Sequence, residues 1–436
     1  MVQVRVDDVM QQPAASRQSR IDITERMQTM INSAHLNFLI GAGTSSPFFP
    51  ALGNIEDRLT ELSSSDASDD EQALVRASIQ AYFFREIIAR NLTILRPDTP
   101  ATGKLRSYGS FIRTLNQILL RRNSTLLSKQ ANIFTTNVDM LFEVAMEGFN
   151  VDFSDGFSGK IRPKFDPGDF DTLRFRKSSR YEHRFEIPVF NLVKIHGSVS
   201  WRQVENKTGR TDIYFDHGLT LVQEIEEQLL IASDHLVDVN SSKADGTPVP
   251  RIRHVDELVD NARRHLESCQ SDACNTSIEQ FKTAYDKLGI INPDKRKFAT
   301  TVMNETYYEL IRRFANELEK ENSVLFVHGF SFRDEHLREL VLRAARTNPT
   351  LQVIVFCYAR SEISTFEALL GIADAKNGNI EIIGPEEPSP NQEEQKLDLD
   401  TLNALYFEPM VQLEPKSSNQ RIDIDINFPT TEASHD

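Results

Sequence analysis

The chain has 436 residues, with 64 acidic against 49 basic side chains and a formal net charge of −15. This speaks against a broad nucleic-acid-binding surface, which needs clustered Lys and Arg. Three cysteines are an odd count and too few for a disulfide framework. The longest apolar runs, Leu351 to Tyr358 and Ser323 to Val327, are far too short to span a bilayer. A chain of this length accommodates two or three domains, and its expected location is a reducing cytoplasm.

Residues 1–20 are polar, lack an apolar segment of the secretory type and read as a flexible arm. Ile23, Met27, Met30 and Ile31 then give a helical stripe leading into a strand from His35 to Ile40. Residues 55–96 read as helical with a polar break at Ser63 to Asp70, and Phe111, Ile112, Leu115 and Leu119 mark a further helix. A buried strand is predicted from Ala131 to Phe134, with a helix from Asp139. Residues 150–190 read as a long, mostly irregular loop ahead of a strand from Val189 to Ile195. Within that loop, Arg174, Arg176, Lys177, Arg180, His183 and Arg184 form one basic stretch: a solvated loop, an intersubunit contact or a phosphate contact.

Residues 203–300, richer in charge, read as a mainly helical insertion with helices near 219–236 and 252–288. The core pattern resumes with a helix from Tyr307 to Glu319, a strand from Ser323 to Val327, a helix from Asp334 to Ala345 and a strand from Leu351 to Cys357. Glu386 to Asp400 reads as an acidic linker, and the alternation of residues 421–426 as a terminal strand adding to a sheet edge. The organisation expected is therefore an α/β core in two parts, 21–202 and 301–385, interrupted by the insertion 203–300 and followed by a linker and tail, 386–436. Cys269 and Cys274 could approach each other, but one pair alone is a poor zinc site, and no metal is expected.

In open α/β sheets, ligands bind just past the carboxyl ends of strands. Four short polar stretches occupy such places. Gly41-Ala42-Gly43 follows a strand and is half of a dinucleotide fingerprint, although Ser46 stands where the third glycine belongs. Glycine lets backbone approach a pyrophosphate, and Thr44 and Ser45 add hydroxyls; a plain tight turn is the alternative. Thr135-Thr136-Asn137-Val138-Asp139 carries a carboxamide that can hold a ribose hydroxyl or a water, or else a capping group for the next helix. His196, before Gly197-Ser198, is either a general base or a satisfied core histidine. Trp201 either walls a cleft or fills core. Gly329-Phe330-Ser331-Phe332 forms a second glycine-plus-hydroxyl turn before Asp334 and His336, with Asp334 as a helix cap and His328 packed beneath.

Taken together, G-A-G-x-S, T-T-N-x-D, K-x-H-G-S and G-F-S-F-x-D-x-H-L resemble the sirtuin superfamily over Phe38 to Tyr358. The resemblance implies a Rossmann-like parallel sheet with an inserted smaller domain. By this likeness Gly41, Ala42, Gly43, Thr44 and Ser45 hold the pyrophosphate and nicotinamide ribose. Asn137 and Asp139 line the nicotinamide pocket, and His196 is the catalytic base. Gly329 and Ser331 face the adenosine side, with Phe332 and His336 of the same motif among the binding residues. Protein-deacetylating sirtuins carry two C-x-x-C pairs for a structural zinc; this chain has none, and no zinc is expected. Its Ser46-Pro47-Phe48-Phe49-Pro50 loop also departs from theirs.

Those departures resemble the NAD-hydrolysing sirtuin-like effectors of bacterial anti-phage defence, in particular the stand-alone type that pairs with a HerA-type hexameric ATPase. The implied substrate is NAD+, with Asn137 and His196 catalytic, no further cofactor and no direct nucleic-acid or membrane contact. The implied assembly is a homo-oligomer, with the linker, terminal strand and insertion as assembly contacts. A deacylase or ADP-ribosyltransferase using the same pocket stays open, as do a nucleotide-sensing assembly subunit and a structural subunit with a vestigial pocket.

Overall fold

The computed structural model describes residues 14–412, apart from residues 51, 53, 97–98, 123–126, 181, 208, 243–247, 269–271, 293–304, 373–375 and 389–392. Seven strands form one parallel sheet: β1 (His35–Ile40), β2 (Gln130–Thr135), β3 (Phe153–Ser154), β4 (Val189–Lys194), β5 (Ser323–His328), β6 (Gln352–Phe356) and β7 (Ile380–Ile383). Their spatial order is β7-β6-β5-β1-β2-β4-β3. The chain builds to one side of β1 through β2, β3 and β4, then returns to the other side with β5. This is the Rossmann-like α/β arrangement expected, with its topological switch between β1 and β5.

A parallel sheet is covered on both faces, so its strands are apolar almost throughout. Along β1, Leu36, Phe38 and Ile40 face a layer containing the helices Thr102–Arg121 and Leu141–Gly148, while Leu39 faces the helices Glu305–Glu319 and Glu335–Thr347. Such two-sided burial specifies register weakly, because a slipped strand still meets apolar neighbours. A buried polar row supplies the missing specification. Asn37 Nδ2 donates to Ser323 Oγ at 2.8 Å, Asn132 Nδ2 to Asn37 Oδ1 at 2.9 Å, and Asn191 Nδ2 to Asn132 Oδ1 at 2.8 Å. The row crosses β5, β1, β2 and β4, the four strands whose carboxyl ends carry the candidate motifs.

A smaller lobe stands beside the sheet. Its antiparallel sheet contains, in order, Leu288–Ile290, Gly197–Glu205, Thr211–Phe215, Lys164–Phe165 and Phe157–Ser158. The helices Thr220–Ala232 and Asp272–Tyr285 pack there against Phe84 and Ile88. Ile55, Leu59, Leu74 and Val75 join Val255, Leu258 and Val259 in a further apolar cluster. The lobe thus differs from the expected insertion. It is built from residues 55–94 and 157–165 as well as the region after His196, and a β-sheet lies within it. Helices expected at 219–236 and 252–288 are present as Thr220–Ala232, Val255–Ser268 and Asp272–Tyr285.

Two further departures concern the chain's outer segments. A helix begins at Ala14, inside the expected arm. The expected linker is in part core: Leu397 and Leu399 are buried, and the helical stretch from Leu399 to Gln412 inserts Phe407 between Phe38, Phe111 and Phe326. Acidic side chains between those apolar ones mask the pattern, because only alternate positions face inward. The strand expected at 421–426 and Cys269 lie outside the described residues. Among the described residues no helix is long and apolar enough to cross a membrane.

The amide row carries a stability prediction. Asn132→Ala removes its central member and leaves Asn37 Oδ1 and the Asn191 amide without partners. At roughly 1–3 kcal/mol for each stranded buried group, the urea midpoint should fall by the equivalent of roughly 2–6 kcal/mol.

Candidate functional site

The register brings the four motifs to one level. Ile40 pairs with His328 on one side and Thr135 on the other, and Thr135 pairs with Lys194. Gly41, Thr136, Ile195 and Gly329 therefore leave the sheet side by side at its carboxyl edge, with neighbouring strands about 4.8 Å apart.

At the switch point the two glycine turns pack backbone to backbone. The Gly41 amide donates to His328 O at 3.0 Å and the Gly43 amide to Gly329 O at 2.9 Å. A Cβ on Gly41 would sit 2.4 Å from Gly329 O, and one on Gly329 would sit 2.3 Å from the Thr44 amide nitrogen. Gly329 also has φ +65°, a conformation that disfavours any side chain. Both glycine N–H groups are thus committed within the protein, and the turn offers a ligand the exposed backbone of Ala42 and Gly43.

Thr44 and Ser45 are buried, with their hydroxyls turned inward. His328 Nε2 donates to Leu397 O at 3.0 Å, so Nδ1 accepts from Thr44 Oγ1 at 2.8 Å. Burial lowers the His328 pKa, in keeping with a neutral ring packed under the turn. Lys104 Nζ donates to Thr44 O at 3.1 Å.

Asn137 is buried and ties its turn to the glycine turn. Its Nδ2 donates to Gly41 O at 3.2 Å and lies 3.5 Å from Ser45 Oγ, while its backbone amide donates to Thr135 Oγ1 at 3.0 Å. Among the described residues its buried Oδ1 has no hydrogen-bond partner, and the Tyr108 hydroxyl lies beside Asn137 and Ser45. Asp139 Oδ1 accepts from the Leu141 amide at 3.1 Å, and Asn91 of the smaller lobe accepts from the Met140 amide at 3.0 Å.

Behind this turn lies a group that the sequence reading passed over. Lys194, the lysine of K-x-H-G-S, is buried and donates to Asp139 O and, at 2.8 Å, to Glu143 Oε1. Burial pushes the Asp139 carboxyl up to about 6 against the partial opposition of Lys194. Asp155, also raised to about 6 chiefly by burial, feels the charge of Glu143 as well. Three carboxyl groups and one ammonium thus lie behind the Asn137 turn.

His196 sits where the chain passes from the parallel sheet to the lobe. Its carbonyl accepts from the Ile291 amide at 2.9 Å, and Gly197 beside it has φ +78°. Its Nε2 lies 3.3 Å from Asp334 Oδ2, with the two side chains 14 % and 17 % exposed. Asp334 therefore does more than the capping the sequence suggested. Ser331 and His336 are exposed, whereas the Phe332 side chain is buried against Phe330 and Phe366. Trp201 fills core between Phe157, Phe165 and Tyr307. The basic stretch forms a hairpin, Phe175–Lys177 with Arg184–Glu186. Glu186 accepts from the Lys129 amide, next to the amino end of β2, so this hairpin stands opposite the candidate site. Among the described residues no group of three or more His, Cys, Asp or Glu is placed to hold a metal ion. The chain matches no family model and no curated protein.

The raised Asp139 pKa has a signed consequence. Ionising this carboxyl disfavours the folded state, so the cost is absent below the ordinary carboxylate value of 3.8. It grows as pH rises toward about 6 and is complete above that. Asp139→Asn keeps an acceptor for the Leu141 amide. It should raise stability by up to about 3 kcal/mol at pH 8, a gain that shrinks toward nothing at pH 3.5. Urea denaturation at both pH values checks this.

Proposed function

We propose that the chain is a sirtuin-like NAD+ hydrolase, cleaving the bond between nicotinamide and ribose: NAD+ and water give ADP-ribose, nicotinamide and a proton. What supports this reading is that the turns bearing Asn137, His196 and the two glycine motifs leave adjacent strands of a Rossmann-like sheet at one carboxyl edge, the edge where dinucleotides bind in open α/β folds.

The chemistry fits those groups. NAD+ lies with its pyrophosphate over Ala42 and Gly43 and its adenosine toward Gly329 and Ser331. Loss of nicotinamide leaves an oxocarbenium-like sugar, and the reacting end is positively charged both before and during cleavage. Asp139, Glu143 and Asp155 behind Asn137 outnumber Lys194, and a fixed negative potential in a water-poor site stabilises such a cation without reorganising. The unpartnered Asn137 Oδ1 accepts from a ribose hydroxyl or from the attacking water. His196 removes a proton from that water, directly or through a ribose hydroxyl. The biological setting proposed is NAD+ depletion in anti-phage defence, by a homo-oligomer gated by a HerA-type ATPase.

The test is NAD+ consumption and nicotinamide release by the purified protein, with and without such an ATPase. His196→Ala and Asn137→Ala should each lower turnover by roughly 10²–10⁴-fold while thermal unfolding stays close to wild type. Wild-type turnover by the His196→Ala protein would overturn the assignment. Nicotinamide release that requires an acyl-lysine peptide would indicate a deacylase, and dinucleotide binding without release a sensor.

A further inference from the structure

We propose that Asp334 is the positioning residue for His196: its carboxylate, 3.3 Å from Nε2, favours the tautomer protonated at that nitrogen, and it stabilises the imidazolium once formed. The catalytic half of this inference rests on the hydrolase reading; the geometric half does not.

Three features of the structure carry it. The first is reach. Asp334 follows β5 and His196 follows β4, and β1 and β2 lie between those strands, a separation of roughly 14 Å at ordinary strand spacing. The segment 329–334 spans that interval, packing against Gly41 on the way, and its carboxylate arrives 3.3 Å from the ring. Helix capping alone requires no such course. The turn is shaped by Gly329 at φ +65° and Phe332 at φ +55°. Arg338 Nη1, donating to Phe332 O at 3.1 Å, holds it.

The second feature is a division of labour within one carboxylate. Oδ1 accepts from the Leu337 amide at 3.2 Å, capping the helix Glu335–Thr347, and Oδ2 is the atom facing His196. The cap thus fixes the direction in which Oδ2 points. The third is tautomer logic. An ionised carboxylate only accepts hydrogen bonds, so the nitrogen facing it carries the proton, and the neutral ring keeps its lone pair on the other nitrogen. The backbone of His196 is independently fixed by the Ile291 amide. A carboxylate behind a catalytic histidine orients it and stabilises its cation without itself taking the proton.

Capping and positioning separate experimentally, because Asn and Ser cap helices about as well as Asp but carry no charge. In wild type labelled with ¹⁵N-histidine, the His196 Nε2 proton, assigned by its absence from His196→Gln, should be shifted downfield and protected from exchange with water. It should move upfield in Asp334→Asn and disappear in Asp334→Ser, whose hydroxyl is too short to reach the ring. Unfolding temperatures should stay within about 2 °C of wild type, a cap having been replaced by a cap. kcat for NAD+ should fall by about 10²-fold or more, with KM changed less than about threefold because ground-state binding is untouched.

An unprotected Nε2 proton in wild type, or one unchanged in folded Asp334→Ser, overturns the positioning. Unchanged kcat in Asp334→Asn beside an active wild type overturns its catalytic part. A wild type that consumes no NAD+ removes the hydrolase reading and with it the catalytic part of this proposal, while the proton resonance still decides whether Asp334 holds His196.

Discussion

A buried polar row, the Ser323 hydroxyl and the amides of Asn37, Asn132 and Asn191, crosses four adjacent strands, and the candidate site depends on it. In a sheet covered on both faces the apolar pattern barely distinguishes one register from the next. Each asparagine stands three positions before the last residue of its strand: Asn37 before Ile40, Asn132 before Thr135, Asn191 before Lys194. Locking the amides together locks the strand ends together, and four turns leave the sheet at one level. A slipped register would strand buried polar groups, so the penalty for an unmade hydrogen bond becomes a device for aligning the site.

Above that level the geometry is set by close backbone contact. Gly41, Gly43 and Gly329 let two turns touch where any side chain would intrude. The contact is supported from beneath by Thr44, His328 and Leu397, a residue that follows the last strand of the sheet. The end of the described chain is therefore tied to its first glycine turn, and Phe407 closes the apolar layer under β1 and β5. Capping supplies the same kind of indirect support at Asp334, whose first oxygen serves a helix and whose second faces His196.

The buried charges behind Asn137 show a different balance. Asp139 and Asp155 are held above their ordinary pKa, chiefly by burial, which costs folding stability near neutral pH. Among the described residues one ammonium, Lys194, is placed with them, and its hydrogen bonds are already directed to Asp139 O and Glu143. An apolar floor would be more stable. Under the proposed reaction, the excess negative charge favours the oxocarbenium-like sugar that forms as nicotinamide leaves neutral.

Five of the seven sheet strands, most core helices and the four glycine- and hydroxyl-bearing turns are legible in the sequence, whereas Phe153–Ser154 and Ile380–Ile383 are not. Hydrophobic period, glycine placement and capping residues act over a few positions, and strands such as His35–Ile40 are legible for that reason. The sequence also offered both roles for Trp201 without separating them, and for Asp334 only the helix cap. Only the tertiary structure decided that Trp201 is core, that Asp334 faces His196, that Lys194 and Glu143 underlie Asn137, and that residues 397–412 belong to the main core rather than to a linker. It also decided that the smaller lobe draws on residues 55–94 and 157–165 and has a sheet within it. Those facts join positions as far apart as the 286 residues between Asn37 and Ser323. Partnerships at that range are set by strand order and register, which emerge when the whole sheet is buried at once and leave no periodic trace in any local stretch of chain.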